Sequence, residues 1–391
     1  MAGLELTFSD EACAEALSDE KLLAAMSRFE AALALAGASA GLVPGEHAQV
    51  IACVCAEFRP DPVALARDAR SAGTLAIPFV SELRARLKAV SPAAAPHLHA
   101  GATSQDVIDT AIVLCLGPAS ERTAALATWL GNAAADLARR HYSTPTAGRT
   151  LLQPALPVPF GYKAAIWLST FVRSLPAFRR AVSDACVLQF GGPAGTLSSY
   201  GAQAHAVEAA LARELGLPLP AAPWHSARDG FARLGAEAAI LAGGAGKIAR
   251  DISLLMQPEI GEASEATPGG SSSMAHKRNP SRSLLALEAA QRAPGLAATL
   301  LAQLTPEHER GIGQWQSQWF TLRELLCASS SALAAMVDVL PTLQIDAKAM
   351  QTNLERSSIP PSERNASFAG AQAMIDRVLE QWRAIARETS P

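Results

Sequence analysis

Between Pro268 and Pro280 the chain reads Gly269-Gly270-Ser271-Ser272-Ser273-Met274-Ala275-His276-Lys277-Arg278-Asn279. The stretch brings three hydroxyls, two cations and an amide onto a backbone of small residues. Lysine is scarce: Lys21, Lys88, Lys163, Lys247, Lys277 and Lys348 are all the chain has. One of them falling six residues after a serine in a Gly/Ser loop is therefore informative. A serine hydroxyl is a weak base in water and needs an activating field. Backbone amides and a nearby ammonium supply one. The plainer alternative is a solvated linker.

Two further segments carry chemistry-bearing residues. His99-Ala100-Gly101-Ala102-Thr103-Ser104-Gln105-Asp106 opens a long helical pattern. Ser104 suits a cap there, Asp106 suits the positive first turn, and a helix N-terminus attracts carboxylates. Gly148-Arg149-Thr150-Leu151-Leu152-Gln153-Pro154-Ala155 is the second. Arg310, in His308-Glu309-Arg310-Gly311, is a candidate bidentate partner for a carboxylate; the alternative is a surface ion pair with Glu307 or Glu309. Other motifs fail. Ala245-Gly246-Lys247 has Ile248 where a phosphate loop needs Ser or Thr, so it reads as helix packing. His97-Leu98-His99 has no partner at metal-ligand spacing, and Gly-x-Ser-x-Gly is absent.

The loop resembles the signature of the fumarase/aspartase superfamily, Gly-Ser-Ser-x-Met-Pro-x-Lys-x-Asn, with Ala275 in place of the proline. The 99–106 segment resembles that superfamily's first motif region, and 148–155 its second, normally Arg-Thr-His-x-Gln. The resemblance implies Ser271 as catalytic acid/base and Lys277 and Asn279 as carboxylate-polarising groups. It implies that Thr103 and Ser104 bind substrate carboxylate, with His99, Asp106, Thr150, Gln153 and Arg310 also at the substrate. Leu151 stands where the lyases carry a proton-donating histidine. Amine and hydroxide leaving groups need such a donor, whereas a carboxylate or nitrite leaves without one. Leu151 thus argues against amine- or water-eliminating chemistry; alternatively it fills a core and His141 is the candidate proton donor. Gly101–Thr110, Phe190–Thr196, Pro223–Asp229, Lys247–Met256 and His308–Trp315 resemble the bacterial 3-carboxy-cis,cis-muconate cycloisomerases. This second likeness runs from about Phe8 to Pro341. It implies an intramolecular lyase acting on a small tricarboxylate, closing a muconate to its lactone in aromatic breakdown, with no metal or organic cofactor. It also implies a homotetramer whose sites form where three subunits meet. Rival readings are a 3-sulfomuconate cycloisomerase, a lyase expelling another weakly basic group, and a non-catalytic structural relative.

These residues need a scaffold, and the composition says which. Alanine is abundant, hydrophobic residues make up 49% and aromatics only 5%, which suits tightly packed helices. Alternating strand patterns are few. Leu22, Met26, Phe29 and Leu33 recur at helical steps, as do Leu241, Ala245, Ile248, Ile252 and Leu255. Gly243, Gly244 and Gly246 within the latter are expected to admit neighbouring helices. Helices are predicted over 106–140, with a kink at Gly117-Pro118, and over 160–183, 198–215, 233–256, 284–304 and 319–340; 262–280 reads as a polar loop. The fold class is all-α: an N-terminal helical domain over 1–95, a central long-helix bundle over 96–340 and a short C-terminal helical domain over 341–391. A net charge of -3 offers no basic face to nucleic acid. No uncharged apolar run predicts a membrane span, and no leader pattern opens the chain. Six scattered cysteines read as reduced thiols of a cytoplasmic protein.

Overall fold

The computed structural model describes residues 9–363 and 367–387. It begins with the short α1 (Glu11–Ala16) and the long α2 (Asp19–Ser39), then α3 (Gly45–Glu57), α4 (Pro62–Ala72) and α5 (Ala76–Val90). Leu22, Met26, Phe29 and Leu33 all lie buried along α2, as their spacing predicts. The bundle follows: α6 (Ser104–Arg140), α7 (Phe160–Ala185), α8 (Ala204–Leu215), α9 (Asp229–Leu255), α10 (Ser281–Ala302) and α11 (Gln314–Val339). Helices α6, α7, α9, α10 and α11 pack against one another, and α8 lies on α2. The chain is all-α in class, and the predicted helices are present with ends shifted by a few residues. One is subdivided: 198–215 is a 3-10 segment, Ser198–Gln203, interrupted at Gly201 (φ 50), followed by α8.

Small residues set how closely the bundle closes. A Cβ at Gly244 would meet Phe171 of α7, and one at Gly246 would meet Ala290 of α10 at 2.7 Å. Gly243, expected to serve the same purpose, has nothing within 4 Å of a would-be Cβ and is exposed. The prolines inside α6, α7 and α10 (Pro118, Pro176 and Pro294) all lie on exposed faces, where a lost helical hydrogen bond is answered by water. Helix α6 continues through Pro118 without interruption.

Two features escaped the pattern reading. Strands β1 (Pro145–Thr150) and β2 (Gln153–Pro159) form an antiparallel hairpin between α6 and α7. Strands β3 (Ala263–Ser264) and β4 (Gln344–Ile345) pair across α10 and α11. The chain closes with α12 (Ala347–Arg356) and α13 (Ala369–Arg387). Trp382 of α13 lies over Gly131 of α6, where any Cβ would collide with its ring, and its indole donates to Asn132 at 2.9 Å. Of the cysteines, all free, only Cys53 is exposed. Two helices, Asp19–Ser39 and the run Gln314–Thr342, are long and apolar enough to cross a membrane, but most of each is buried within this fold.

The register of the bundle is locked at one end by charge. Arg228 and Asp109 are both fully buried, with bidentate contacts of 2.6 and 2.9 Å. Gln318 of α11 accepts from the same guanidinium, and Trp224 and Phe231 stack on it. Removing one partner leaves an uncompensated buried charge. Asp109→Ala is therefore expected to cost about 3–5 kcal/mol of stability, read as a lowered midpoint in denaturant unfolding.

Candidate active site

The start of α6 is built around one buried carboxylate. Asp106 is fully buried. It accepts the backbone N–H of Thr103 (3.0 Å), Gly191 (3.0 Å) and Gly192 (2.9 Å), and it meets His225 Nε2 at 2.7 Å. Expected at the substrate, Asp106 instead has both oxygens engaged and acts as the tie that holds the 191–192 turn against the helix start. Thr103 is the N-cap, and Ser104, expected to cap, is the first helical residue. Both are half-buried.

Arg310 closes the same corner. Its guanidinium donates to Thr103 Oγ1 and Gln105 Oε1, both at 3.1 Å, and to the Gly192 carbonyl at 3.4 Å. Gln105 in turn donates to the His225 carbonyl. Among the described residues no carboxylate pairs with Arg310, so the surface ion pair with Glu307 or Glu309 is not formed. A guanidinium held only by neutral acceptors at a helix N-terminus leaves its charge available to an anion. His99 stands on the loop before Thr103 at φ 58, with Nδ1 2.6 Å from Glu30 of α2. His97 has its ring tilted against that of His47, centroids 5.2 Å apart. A largely apolar cavity of about 450 Å³ opens nearby, lined by Ile108, Leu22, Thr74, Trp315, Trp319 and Phe320 among others.

The Gly/Ser loop is a closed ring. Gly269 and Asn279 exchange both backbone hydrogen bonds at 2.8 Å, and a Cβ at Gly269 would collide with Ser281. Buried Glu265 anchors the stem by accepting the backbone N–H groups of Arg282 and Ser283 at the start of α10. Within the ring Ser271 Oγ accepts the N–H of Met274 at 3.2 Å and of Ser273 at 3.4 Å. Those donors favour an oxyanion on that hydroxyl. Lys277 is exposed and has no ion-pair partner among the described residues. Asn279, expected to hold substrate, donates one amide N–H to the Gly270 carbonyl at 2.7 Å across the loop neck.

The Arg149 motif forms the tip of the β1–β2 hairpin. Arg149 makes a bidentate pair with buried Glu262 at 2.9 and 2.6 Å. Thr146 and Asn353 also donate to this carboxylate. Burial works against its ionised form, yet the hydrogen bond from Arg149 and then that from Asn353 outweigh it and hold Glu262 below the usual carboxylate range. Thr150, Leu151, Leu152 and Gln153 all lie exposed at the turn. Leu151 is 96% exposed, so it is not core filler. Leu151 and Leu152 both have positive φ, 51 and 65, in a two-residue turn that ordinarily takes Asn-Gly. His141 lies beneath this hairpin, Nδ1 3.2 Å from Thr144 Oγ1 and its ring edge-on to Phe160. Burial, then the charge of Arg140, lowers its pKa.

These groups do not meet within one chain. Helix α6 rises about 55 Å from Thr103 to His141. Helix α9 rises about 40 Å from Arg228, paired to Asp109, to Leu255, whose carbonyl accepts Glu262 N–H. Thr103, Ser104, Arg310 and His99 therefore lie at one end, and the hairpin tip and the stem of the Ser271 loop at the other.

A family model described as lyase matches residues 8–295. The chain belongs to this lyase family. The motif resemblance to the fumarase/aspartase superfamily thus extends over most of the chain. A curated relative named 3-carboxy-cis,cis-muconate cycloisomerase, from Bradyrhizobium diazoefficiens, is 45% identical over 89% of this chain and 78% of its own. Another, named nitrosuccinate lyase, from Streptomyces davaonensis, is 40% identical over 87% of this chain and 74% of its own. The crystal structure of a 3-carboxy-cis,cis-muconate lactonizing enzyme from Pseudomonas putida superposes with a TM-score of 0.90 at 33% identity, covering 98% of this chain and 99% of that one.

Sequence reasoning singled out 223–229 without giving His225 a role, and it missed Glu30, Glu262 and Glu265. One signal was available: Glu30 falls four residues after Met26 and three before Leu33, on an apolar stripe. Asp106→Asn removes the charge on which His225 and three N–H groups converge. It is expected to cost about 2–3 kcal/mol and to speed amide exchange at Thr103, Gly191 and Gly192, read by hydrogen exchange with mass spectrometry.

Proposed function

We propose that this protein is an intramolecular lyase that closes 3-carboxy-cis,cis-muconate to carboxymuconolactone, working as a cytoplasmic homotetramer. The observation that carries the reading is the apolar hairpin tip. Leu151 projects bare from the fold at the position where a proton-donating histidine would serve a basic leaving group. In lactonisation the bond made or broken is to the substrate's own carboxylate, which needs no such donor.

A substrate carboxylate oxygen adds to the conjugated alkene carbon, forming the ring C–O bond. The alkene electrons move onto the adjoining carboxylate as an enediolate. Arg310, Thr103 and Ser104 at the α6 start, together with Lys277, stabilise that charge. Ser271 then gives its proton to the α-carbon of the enediolate, restoring the carboxylate, and the N–H groups of Ser273 and Met274 hold the alkoxide until it is reprotonated. The reverse direction uses Ser271 as base. Asn279 contributes by closing the loop neck.

The separation of these groups supports an oligomer. A Ser271 loop at one end of the chain works with an Arg310 corner at the other only when they come from different copies. Exposed Ile166, Ile240, Leu284, Leu301 and Phe320 on the bundle are suited to burial between copies. A second reading, a lyase expelling nitrite, is favoured by the relative named nitrosuccinate lyase and is equally compatible with Leu151.

Incubation with 3-carboxy-cis,cis-muconate should bleach the diene's ultraviolet absorbance. Ser271→Ala should slow this by about 10²–10⁴-fold while sedimentation shows the assembly unchanged. Near-normal turnover in that variant, or nitrite release from a nitro acid with no action on the muconate, would refute the reading.

A further inference from the structure

Glu30 sits on the buried face of α2, between Met26 and Leu33. Its side chain has no exposure to solvent. One oxygen meets His99 Nδ1 at 2.6 Å; the other, Oε2, has no hydrogen-bond partner. A buried carboxylate so thinly supported is costly, and an apolar residue of similar size would pack there without that cost. His99 is held in left-handed backbone, φ 58, another departure from the comfortable choice. His99 lies on the loop that enters the first turn of α6, and Glu30 reaches it from α2. Cost gathered at one spot points to use.

The surroundings of His99 tell what the use is. Its Nδ1 is taken by Glu30, while Nε2 has no protein partner among the described residues, and the side chain keeps 16% of its surface open. The charged groups facing it are Glu30 from α2, Asp106 from α6 and Arg84 from α5, whose guanidinium donates to the Leu98 carbonyl at 3.1 Å. Burial is the largest single influence and opposes the charge. The charge and hydrogen bond of Glu30, with Asp106 behind, outweigh it and leave the pKa above the ordinary imidazole value, Arg84 opposing.

We propose that Glu30 holds His99 as an imidazolium whose Nε2–H is open to the cleft at the start of α6, giving the carboxylate pocket a second cation in addition to Arg310. Two cations there match a substrate bearing more than one carboxylate. His99 is then a binding group and Glu30 a positioning residue acting through it. The inference rests on the carboxylate-substrate reading above. The sign is fixed: His99 keeps its charge below its raised pKa and loses it as pH climbs through that value, and substrate affinity falls with it. Without the Glu30 charge, burial lowers the pKa and the loss begins at more acidic pH.

The test measures KM and kcat against pH for the wild type, Glu30→Gln, Glu30→Asp and His99→Gln. Glu30→Gln should move the rise in KM about one pH unit or more toward acid. It should raise KM roughly tenfold at neutral pH with far less change in kcat, and Glu30→Asp should restore part of the loss. A merely structural glutamate would lower stability without moving that pH. If Glu30→Gln does not fold, His99→Gln carries the test, because its KM should lose the pH dependence altogether. An imidazole titration by NMR, with the His99 signal identified by its absence in His99→Gln, needs no turnover. It therefore decides the inference even if 3-carboxy-cis,cis-muconate is not the substrate. A wild-type His99 titrating at or below the ordinary imidazole value, or KM–pH curves that coincide for wild type and Glu30→Gln, would overturn it.

Discussion

Helices in a packed bundle are rigid rods, and their length decides what a single chain can bring together. Both α6 and α9 run from the corner built by Arg228 and Asp109 to the corner built by Glu262 and Arg149. The groups suited to carboxylate binding are fastened at the first corner, and the serine loop grows from the second. No loop motion of ordinary size spans about 40 Å. The separation is a constraint that every reading of the chemistry has to meet, and association of several copies, as proposed, would meet it.

Each corner is rigid for an electrostatic reason. At the first, two carboxylates withdrawn from water, Asp106 and Asp109, are answered by His225, Arg228 and backbone N–H groups. At the second, Glu262 gathers Arg149, Thr146 and Asn353, and Glu265 fastens the start of α10. Buried charge of this kind adds little net stability, since desolvation offsets most of the attraction. What it gives is one arrangement in preference to its neighbours. The loop and the helix start that it supports are thus presented in fixed geometry, as pre-organised catalysis requires.

How much of this was legible before the fold was known follows from the physics of each part. Helix positions were, because an apolar stripe such as Leu241–Leu255 has the helical period wherever it is buried. The serine loop was, because its residue types are unusual together. The hairpin was not: Pro145–Thr150 and Gln153–Pro159 carry three prolines in the second strand and few β-branched residues, and a Leu-Leu pair is contrary to the rules for a tight turn at positive φ. Two leucines kept there at a backbone cost of about 1–2 kcal/mol each, and left bare to solvent, make sense on the proposed reading as a surface meant for another copy. Glu30 was hidden for the opposite reason, since an acid within an apolar stripe reads as noise until its partner on a distant loop is seen.

The most direct test of the account mixes two disabled proteins. Ser271→Ala and Arg310→Ala chains, each inactive alone, would be co-expressed with different tags and the hybrids isolated by both. A site assembled from different copies predicts that hybrids regain about a quarter of wild-type activity, from sites drawing an intact loop and an intact corner from separate chains. Hybrids no more active than either parent would contradict it.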